Sequence, residues 1–317
     1  MSLGPAVVIG SSGQVAKALT HSLKLRNMPF FSTSSSGGQD SFPLDLADPS
    51  SIKSLFAQTD SRFGKTPLEV LLPGAFTHVD KCEEDQERCR KINEEGPILV
   101  ARECALRGHS LTFFSTEYVF GNAEYEGGSV GPFSEEDMPA PTCFYGACKL
   151  AAEIGLQKIL GNKALIVRPT MVFSWDPAGN NFLMQYLRQL EEIRQGREPA
   201  IFRVPEDQIS TPTYAPALGE ATCLLREKGV GGIVNLVGSD LLSRRELVKR
   251  VIRSFGFDQE KSLRGFRFLE TRELAQKAKR PLTAGLTTGK ASGLGVKPWS
   301  LSEAFTEILA LRRADQK

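Results

Sequence analysis

Tyr145 and Lys149 stand four residues apart in Tyr145-Gly146-Ala147-Cys148-Lys149, downstream of the polar pair Ser115-Thr116. On a helix, that spacing puts both side chains on one face, about one turn apart. A hydroxyl donor, a phenol and an ammonium are the parts that protonate a carbonyl oxygen while a hydride reaches its carbon. A free tyrosine, with a pKa of about 10, exchanges protons poorly at neutral pH. A neighbouring ammonium and the positive nicotinamide of an oxidised cofactor would favour the phenolate and lower that value. In reduction, Tyr145 donates the proton, Thr116 hydrogen-bonds the developing alkoxide and Lys149 also holds the nicotinamide ribose. Tyr-x-x-x-Lys alone recurs by chance, so its meaning depends on the elements that position it.

Those elements begin at the N-terminus. Ala6-Val7-Val8-Ile9 is an apolar run, followed at once by Gly10-Ser11-Ser12-Gly13-Gln14-Val15-Ala16 and a helical pattern through Leu19 and Leu23, which predicts strand, tight turn and helix. Glycines in such a turn allow close backbone approach to a pyrophosphate, and a small third residue lets the helix pack on the sheet. Gly10, Ser12, Gly13, Gln14 and Val15 are therefore candidate dinucleotide contacts. A second strand near Pro29 to Thr33 runs into Ser34, Ser35 and Ser36, with neither a carboxylate nor an arginine. Without an acid to hold the adenosine ribose of NAD, NADP is favoured, with NAD as the alternative. Asp45-Leu46 follows the next extended stretch, where a carboxylate could reach the adenine edge, and Asp48-Pro49 marks a helix start. Apolar runs at Leu68 to Leu72 and Leu111 to Phe114 flank a helical region over about Gln86 to Arg107. The third strand ends in Pro73-Gly74-Ala75, small residues at the sheet edge where ligands lie. A helix from Tyr145 to Leu160 then leads to a strand over Ala164 to Arg168.

Strands alternating with helices predict an α/β fold, a Rossmann-like doubly wound parallel sheet with a smaller C-terminal substrate-binding lobe. The expected division is a dinucleotide-binding domain over 1–170 and a substrate lobe over 171–317, with segments returning to the main sheet. Helices are expected near Asn181 to Arg194, Pro216 to Arg226, Arg244 to Phe255 and Ser302 to Arg312.

Composition narrows the partners. Of 317 residues, 41% are hydrophobic and 24% charged, and 39 basic against 37 acidic residues leave a net charge of +2. That balance argues against nucleic acid or a membrane surface recruited by bulk charge. No apolar run approaches the roughly 18 to 20 residues of a membrane span, and no leader pattern opens the chain, so a cytoplasmic protein is expected. Six cysteines show neither Cys-x-x-Cys pairs nor histidines at ligand spacing, which predicts reduced thiols and no zinc site. No compact carboxylate cluster identifies a Mg²⁺ site.

The chain resembles the extended short-chain dehydrogenase/reductase superfamily, and within it the dTDP-4-dehydrorhamnose reductase family. The resemblance runs through Gly10-x-x-Gly13-Gln14-Val15, Thr77-His78-Val79-Asp80-Lys81-Cys82-Glu83, Asn93-x-x-Gly96-Pro97 and Ser115-Thr116-Glu117-Tyr118-Val119-Phe120. It continues in Tyr145-x-x-x-Lys149-x-x-x-Glu153, Gly179-Asn180-Asn181-Phe182, Asp207-Gln208-x-x-x-Thr211-Pro212-Thr213 and Arg280-Pro281. It implies reduction of the 4-keto group of a nucleotide-linked 6-deoxy sugar, with Thr116, Tyr145 and Lys149 as the catalytic set. Gly13, Gln14, Val15, Asp45, Leu46, Gly74, Ala75 and Phe76 become cofactor contacts, and a homodimer is compatible with it. Three features depart from the family pattern. Glu117 replaces an aspartate beside the substrate, Met171 replaces a tryptophan that touches the nucleotide-sugar, and the loop from Gly121 to Thr142 is longer. Around Glu135-Glu136-Asp137-Met138-Pro139-Ala140-Pro141 the chain also resembles the regulatory beta subunit of methionine adenosyltransferase, which implies an NADP-binding partner protein as an alternative. A nucleotide-sugar epimerase is a further alternative.

Overall fold

The computed structural model describes residues 4–38, 41–121 and 130–315. Part of the long loop after Gly121, residues 122–129, lies outside the described residues. The strands are β1 (Ala6–Ile9), β2 (Phe30–Ser34), β3 (Ser41–Pro43), β4 (Glu69–Leu72), β5 (Ser110–Phe114), β6 (Ala164–Arg168), β7 (Val172–Phe173), β8 (Phe202–Pro205), β9 (Ile209–Ser210), β10 (Thr213–Tyr214), β11 (Gly232–Asn235), β12 (Leu242–Ser243) and β13 (Phe266–Leu269). The helices are α1 (Gln14–Leu25), α2 (Pro49–Phe63), α3 (Val79–Glu84), α4 (Gln86–Arg90), α5 (Gly96–Arg107), α6 (Phe144–Leu160), α7 (Phe182–Arg194), α8 (Ala215–Glu227), α9 (Arg244–Ser254), α10 (Gln259–Leu263), α11 (Gly289–Gly293) and α12 (Leu301–Asp315).

A sheet in the order β11-β6-β5-β4-β1-β2-β3 forms the centre, parallel throughout. Alternation in β1 shows why two helical layers are needed. Val7 and Ile9 pack with Ile52, Phe56, Val100 and Leu156 from α2, α5 and α6, whereas Ala6 and Val8 pack with Ala16, Leu19 and Leu23 of α1 and Leu218 of α8. A strand apolar on both faces is stable only when both faces are covered. The chain runs outward from β1 through β2 and β3, then returns to β4 on the other side. The strand order therefore reverses at the carboxyl ends of β1 and β4, which opens a crevice there.

The region expected as one helix over about Gln86 to Arg107 is instead α4, a π-helical turn over Lys91–Glu95, and α5. The wider turn lets the buried Asn93 accept from the Phe76 amide at 3.0 Å and donate to the Phe76 carbonyl at 2.9 Å. It also seats Gly96 where a Cβ would lie 2.4 Å from the Leu46 carbonyl. A π-turn is a frequent mark of such a local demand.

A second core gathers Phe173, Leu183, Leu187, Leu190, Tyr214, Val248, Ile252 and Phe305 from the later part of the chain. Two small parallel ladders, β7 with β10 and β8 with β13, brace it. Gln14 ties this part to the start of α1. Its amide donates to the Val172 carbonyl at 2.8 Å, and its oxygen accepts from Ser174 Oγ at 3.0 Å.

Candidate active site

Gly10 has φ +96°, a left-handed conformation that glycine adopts without strain. A Cβ there would lie 2.8 Å from Gly74 Cα, and the Gly74 amide donates to the Ile9 carbonyl at 2.9 Å. Two glycines from adjacent strand ends thus meet backbone to backbone, leaving the first turn of α1 open to the crevice. Beside it, Thr33 at the end of β2 accepts from the Gly10 amide through both its carbonyl and its hydroxyl.

The proposed catalytic side chains come from β5 and α6. Thr116 follows β5 in extended backbone and accepts from the Tyr118 amide at 3.2 Å. Gly146 brings α6 against the short 3₁₀ turn over Glu117–Val119, since a Cβ at that position would lie 2.0 Å from the Tyr118 carbonyl oxygen. No side chain fits there. Glu83 on α3 closes the start of α6 by accepting from the Phe144 amide at 2.7 Å. Glu153, one turn beyond Lys149, holds Arg168 at the end of β6 through bonds of 2.9 and 2.5 Å, both residues being only 1% exposed. Asp80 accepts from the Ala278 amide and pairs with Arg280 at 2.9 Å. The polar positions of the motifs around Tyr145 thus act mainly to fix the helix that bears it.

Tyr145 is buried, and Tyr118 meets its ring edge-on at 5.8 Å between centroids. Lys149 is 1% exposed, with Nζ 4.0 Å from the centroid of Phe113. Electrostatics here follow burial. Burial, not a neighbouring ammonium, dominates Tyr145 and pushes its pKa well above the usual phenol range. Burial also lowers the Lys149 ammonium to about 7, opposed by Glu153. A desolvated phenol is a proton donor at rest, the state that reduction needs.

One cavity of about 510 Å³ is lined by Gly13, Gln14, Val15, Ala75, Thr116, Glu117, Tyr145, Lys149 and Met171. Of the other residues singled out from the sequence, Gly10 and Gly74 meet at the strand ends and are not among the residues that line it. Ser12, Asp45, Leu46 and Phe76 do not line it. Asp45 Oδ1 accepts from the Ala47 amide, Leu46 packs on the main core, and Phe76 packs on a cluster of thiols. Ser34 bonds Ser41 Oγ at 3.0 Å and the Gly37 carbonyl, holding the turn after β2. Met171 sits at φ +37° with Ser210 Oγ 2.7 Å from its sulfur.

Arg244, at the start of α9, also lines the cavity, and no local sequence signal distinguishes it from its neighbour Arg245. It faces Glu117. That carboxyl is 6% exposed and is pushed up to about 8 by burial, with the Arg244 charge opposing the shift. Glu117 Oε2 and Arg244 Nε are both buried without hydrogen-bond partners. Unpaired polar atoms of both signs at one wall suit a ligand bearing donors and acceptors. Among the described residues no group of three or more His, Cys, Asp or Glu is arranged to hold a metal, and no helix is long and apolar enough to cross a membrane.

The family model described as RmlD substrate binding domain matches residues 5–313. The chain belongs to that family. Within it, the chain is 27% identical over 306 residues to the spore coat polysaccharide biosynthesis protein SpsK of Bacillus subtilis, covering 96% of this chain and 97% of that one. It is 26% identical to the dTDP-4-dehydrorhamnose reductase of Mycolicibacterium smegmatis, covering 80% and 70%. Among solved structures, the dTDP-4-dehydrorhamnose reductase of Bacillus anthracis in complex with NADP superposes with a TM-score of 0.81 at 23% identity, covering 97% and 99%. RmlD-family membership places the chain among the dTDP-4-dehydrorhamnose reductase-like oxidoreductases and fits the doubly wound sheet.

Proposed function

We propose that this protein reduces the 4-keto group of a nucleotide-activated 6-deoxy sugar with a nicotinamide cofactor, NADPH in preference to NADH. The observation that carries this reading is the single cavity that Thr116, Tyr145 and Lys149 line together, beside the open glycine turn. The Gly10–Gly74 contact leaves a cradle that any Cβ would fill, which suits a pyrophosphate held by backbone amides at the start of α1. Serines without a carboxylate after β2 favour the phosphorylated cofactor. Bound there, the reduced nicotinamide would supply the hydride.

The protein's own residues do the rest. Tyr145 donates its hydroxyl proton to the carbonyl oxygen as charge develops on it, and Thr116 Oγ1 hydrogen-bonds the same oxygen. Lys149, in its protonated form, stabilises the phenolate left behind and steadies the ribose hydroxyls. Glu117, Met171 and Arg244 form the substrate side of the cavity. We place the substrate-binding lobe in residues 171–317, since α7 and α9 bring Phe182 and Arg244 to that wall.

Turnover is read as loss of NADPH absorbance across a panel of 4-keto-6-deoxy nucleotide sugars. Tyr145→Phe is expected to lower that turnover by roughly 10²–10⁴-fold while leaving NADPH binding, measured by fluorescence, nearly unchanged. Full activity in this variant would remove the phenol from the reaction. NADPH binding without turnover of any panel member would indicate a binding protein.

A further inference from the structure

Behind the proposed catalytic helix lies a second set of reactive groups that takes no part in the chemistry above. Cys82 on α3, Cys89 on α4 and Cys148 on α6 share a buried cluster with Cys143 and Tyr145, and all are free thiols. The Asn93 amide nitrogen lies 3.4 Å from Cys89 Sγ and 4.0 Å from Cys82 Sγ. Cys82 Sγ also donates to the Phe76 carbonyl at 3.3 Å. One amide thus serves the sulfurs of both Cys89 and Cys82, which brings two thiols together inside the fold.

Cys89 is the central sulfur. It accepts from the Asn93 amide, and the neighbouring thiols of Cys148 and Cys82, with the Lys149 charge, favour its ionised form. All of these stabilise the thiolate, the form that attacks. Cys82 is held as a thiol by donating to the Phe76 carbonyl, and the neighbouring Cys89 together with burial pushes both Cys82 and Cys148 above the usual thiol range.

We propose that Cys89 is a peroxide-reactive thiolate and Cys82 its resolving thiol, so that a hydroperoxide converts the pair into a Cys82–Cys89 disulfide. The Cys89 sulfur attacks one peroxide oxygen, the O–O bond breaks, and Cys89 becomes a sulfenic acid while the departing hydroxide takes up a proton as water. Cys82 Sγ then displaces the hydroxyl from Cys89, and its own proton leaves with that hydroxyl as a second water. Two thiols lose two electrons, and one molecule of hydrogen peroxide is reduced to two of water.

Cys82 is favoured over Cys148 by what can move. The two sulfurs must close to about 2.05 Å to form the bond. The helix α6 is pinned at Gly146, where no space remains against Tyr118. By contrast α3 has six residues and joins α4 through Asp85 alone. Access is short as well. Val79 and Tyr145 pack on the thiols and also line the 510 Å³ cavity, so a water-sized peroxide in that cavity is one side chain away.

The test uses the full-length protein treated with a modest excess of hydrogen peroxide at neutral pH, then denatured, alkylated and mapped by mass spectrometry. Of six alkylatable thiols, four are expected to remain, with a mass lower by two hydrogens, tryptic peptides bearing Cys82 and Cys89 joined, and all six restored by dithiothreitol. In Cys82→Ser, dimedone should trap a sulfenic acid on Cys89. In Cys89→Ser, the remaining thiols should resist the same treatment. Six intact thiols in the wild type, a disulfide between any other pair, or equal oxidation of Cys89→Ser would overturn the proposal. The wild-type map decides by itself if either variant fails to fold. Its outcome does not depend on which sugar the protein reduces.

Discussion

Replacing Glu117 by glutamine should remove a pH dependence of stability that the wild type cannot avoid. The carboxyl is 6% exposed, and its folded-state pKa is raised from 4.5 to about 8, first by burial and against the opposing charge of Arg244. A carboxyl with a raised folded value favours the fold in its protonated form. Its contribution is therefore complete below pH 4.5 and is lost as pH rises through about 8. Within that window the loss accumulates at roughly 1.4 kcal/mol per pH unit, giving roughly 3 kcal/mol by about pH 7. Lys149, lowered to about 7, works in the opposite sense, because ionising it in the fold is what costs stability. Comparing Glu117→Gln with wild type at each pH cancels that term. Urea denaturation followed by circular dichroism at several pH values from about 4.5 to 8.5 is the assay. The stability of the glutamine variant relative to wild type should grow by roughly 3 kcal/mol between pH 4.5 and about pH 7. Parallel curves for the two proteins would mean that Glu117 ionises in the fold at its ordinary value, and the account of this wall as a desolvated, substrate-facing surface would be wrong.

Three further substitutions probe the frame that holds the site. Gly146→Ala puts a Cβ 2.0 Å from the Tyr118 carbonyl and must displace α6 by about 1 Å, so turnover should fall roughly 10²-fold as read by NADPH consumption. Glu153→Gln leaves the Arg168 guanidinium, 1% exposed, without its counter-charge, and should cost about 3–5 kcal/mol in urea denaturation. Replacing both partners by apolar residues should recover much of that loss. Gly10→Ala forces φ +96° on an alanine and brings its Cβ within 2.8 Å of Gly74 Cα, so NADPH affinity by fluorescence titration should drop roughly tenfold or more, at least about 1.4 kcal/mol. Unchanged affinity there would place the pyrophosphate elsewhere.

Much of this architecture is local and therefore legible in the chain itself. An apolar strand of four residues, the glycine turn and the amphipathic α1 follow one another in sequence, and each is fixed by neighbours a few positions away. The same holds for Asp48 with Pro49 opening α2, where the aspartate accepts from the Ser50 amide. It holds too for Tyr145 and Lys149, which helical spacing alone places on one face. The doubly wound parallel sheet follows from the alternation of such units.

Tertiary structure decided what depends on pairs far apart in the chain. Arg244 reaches the cavity because α9 folds back onto it, and nothing near residue 244 announces that. The break at Lys91–Glu95 comes from Asn93 serving Phe76 and from Gly96 lying against Leu46, partners set by strand order and not by helical period. Cys82, Cys89 and Cys148 show no motif spacing, yet three helices bring their sulfurs together. The largest difference concerns charge. Sequence supplies Tyr145, Lys149 and Glu117 with their ordinary proton affinities, and an ammonium near a phenol suggests a lowered phenol. Enclosure in the fold instead raises Tyr145 and Glu117 and lowers Lys149, because desolvation penalises whichever form is charged and only the packed chain determines how much water is excluded.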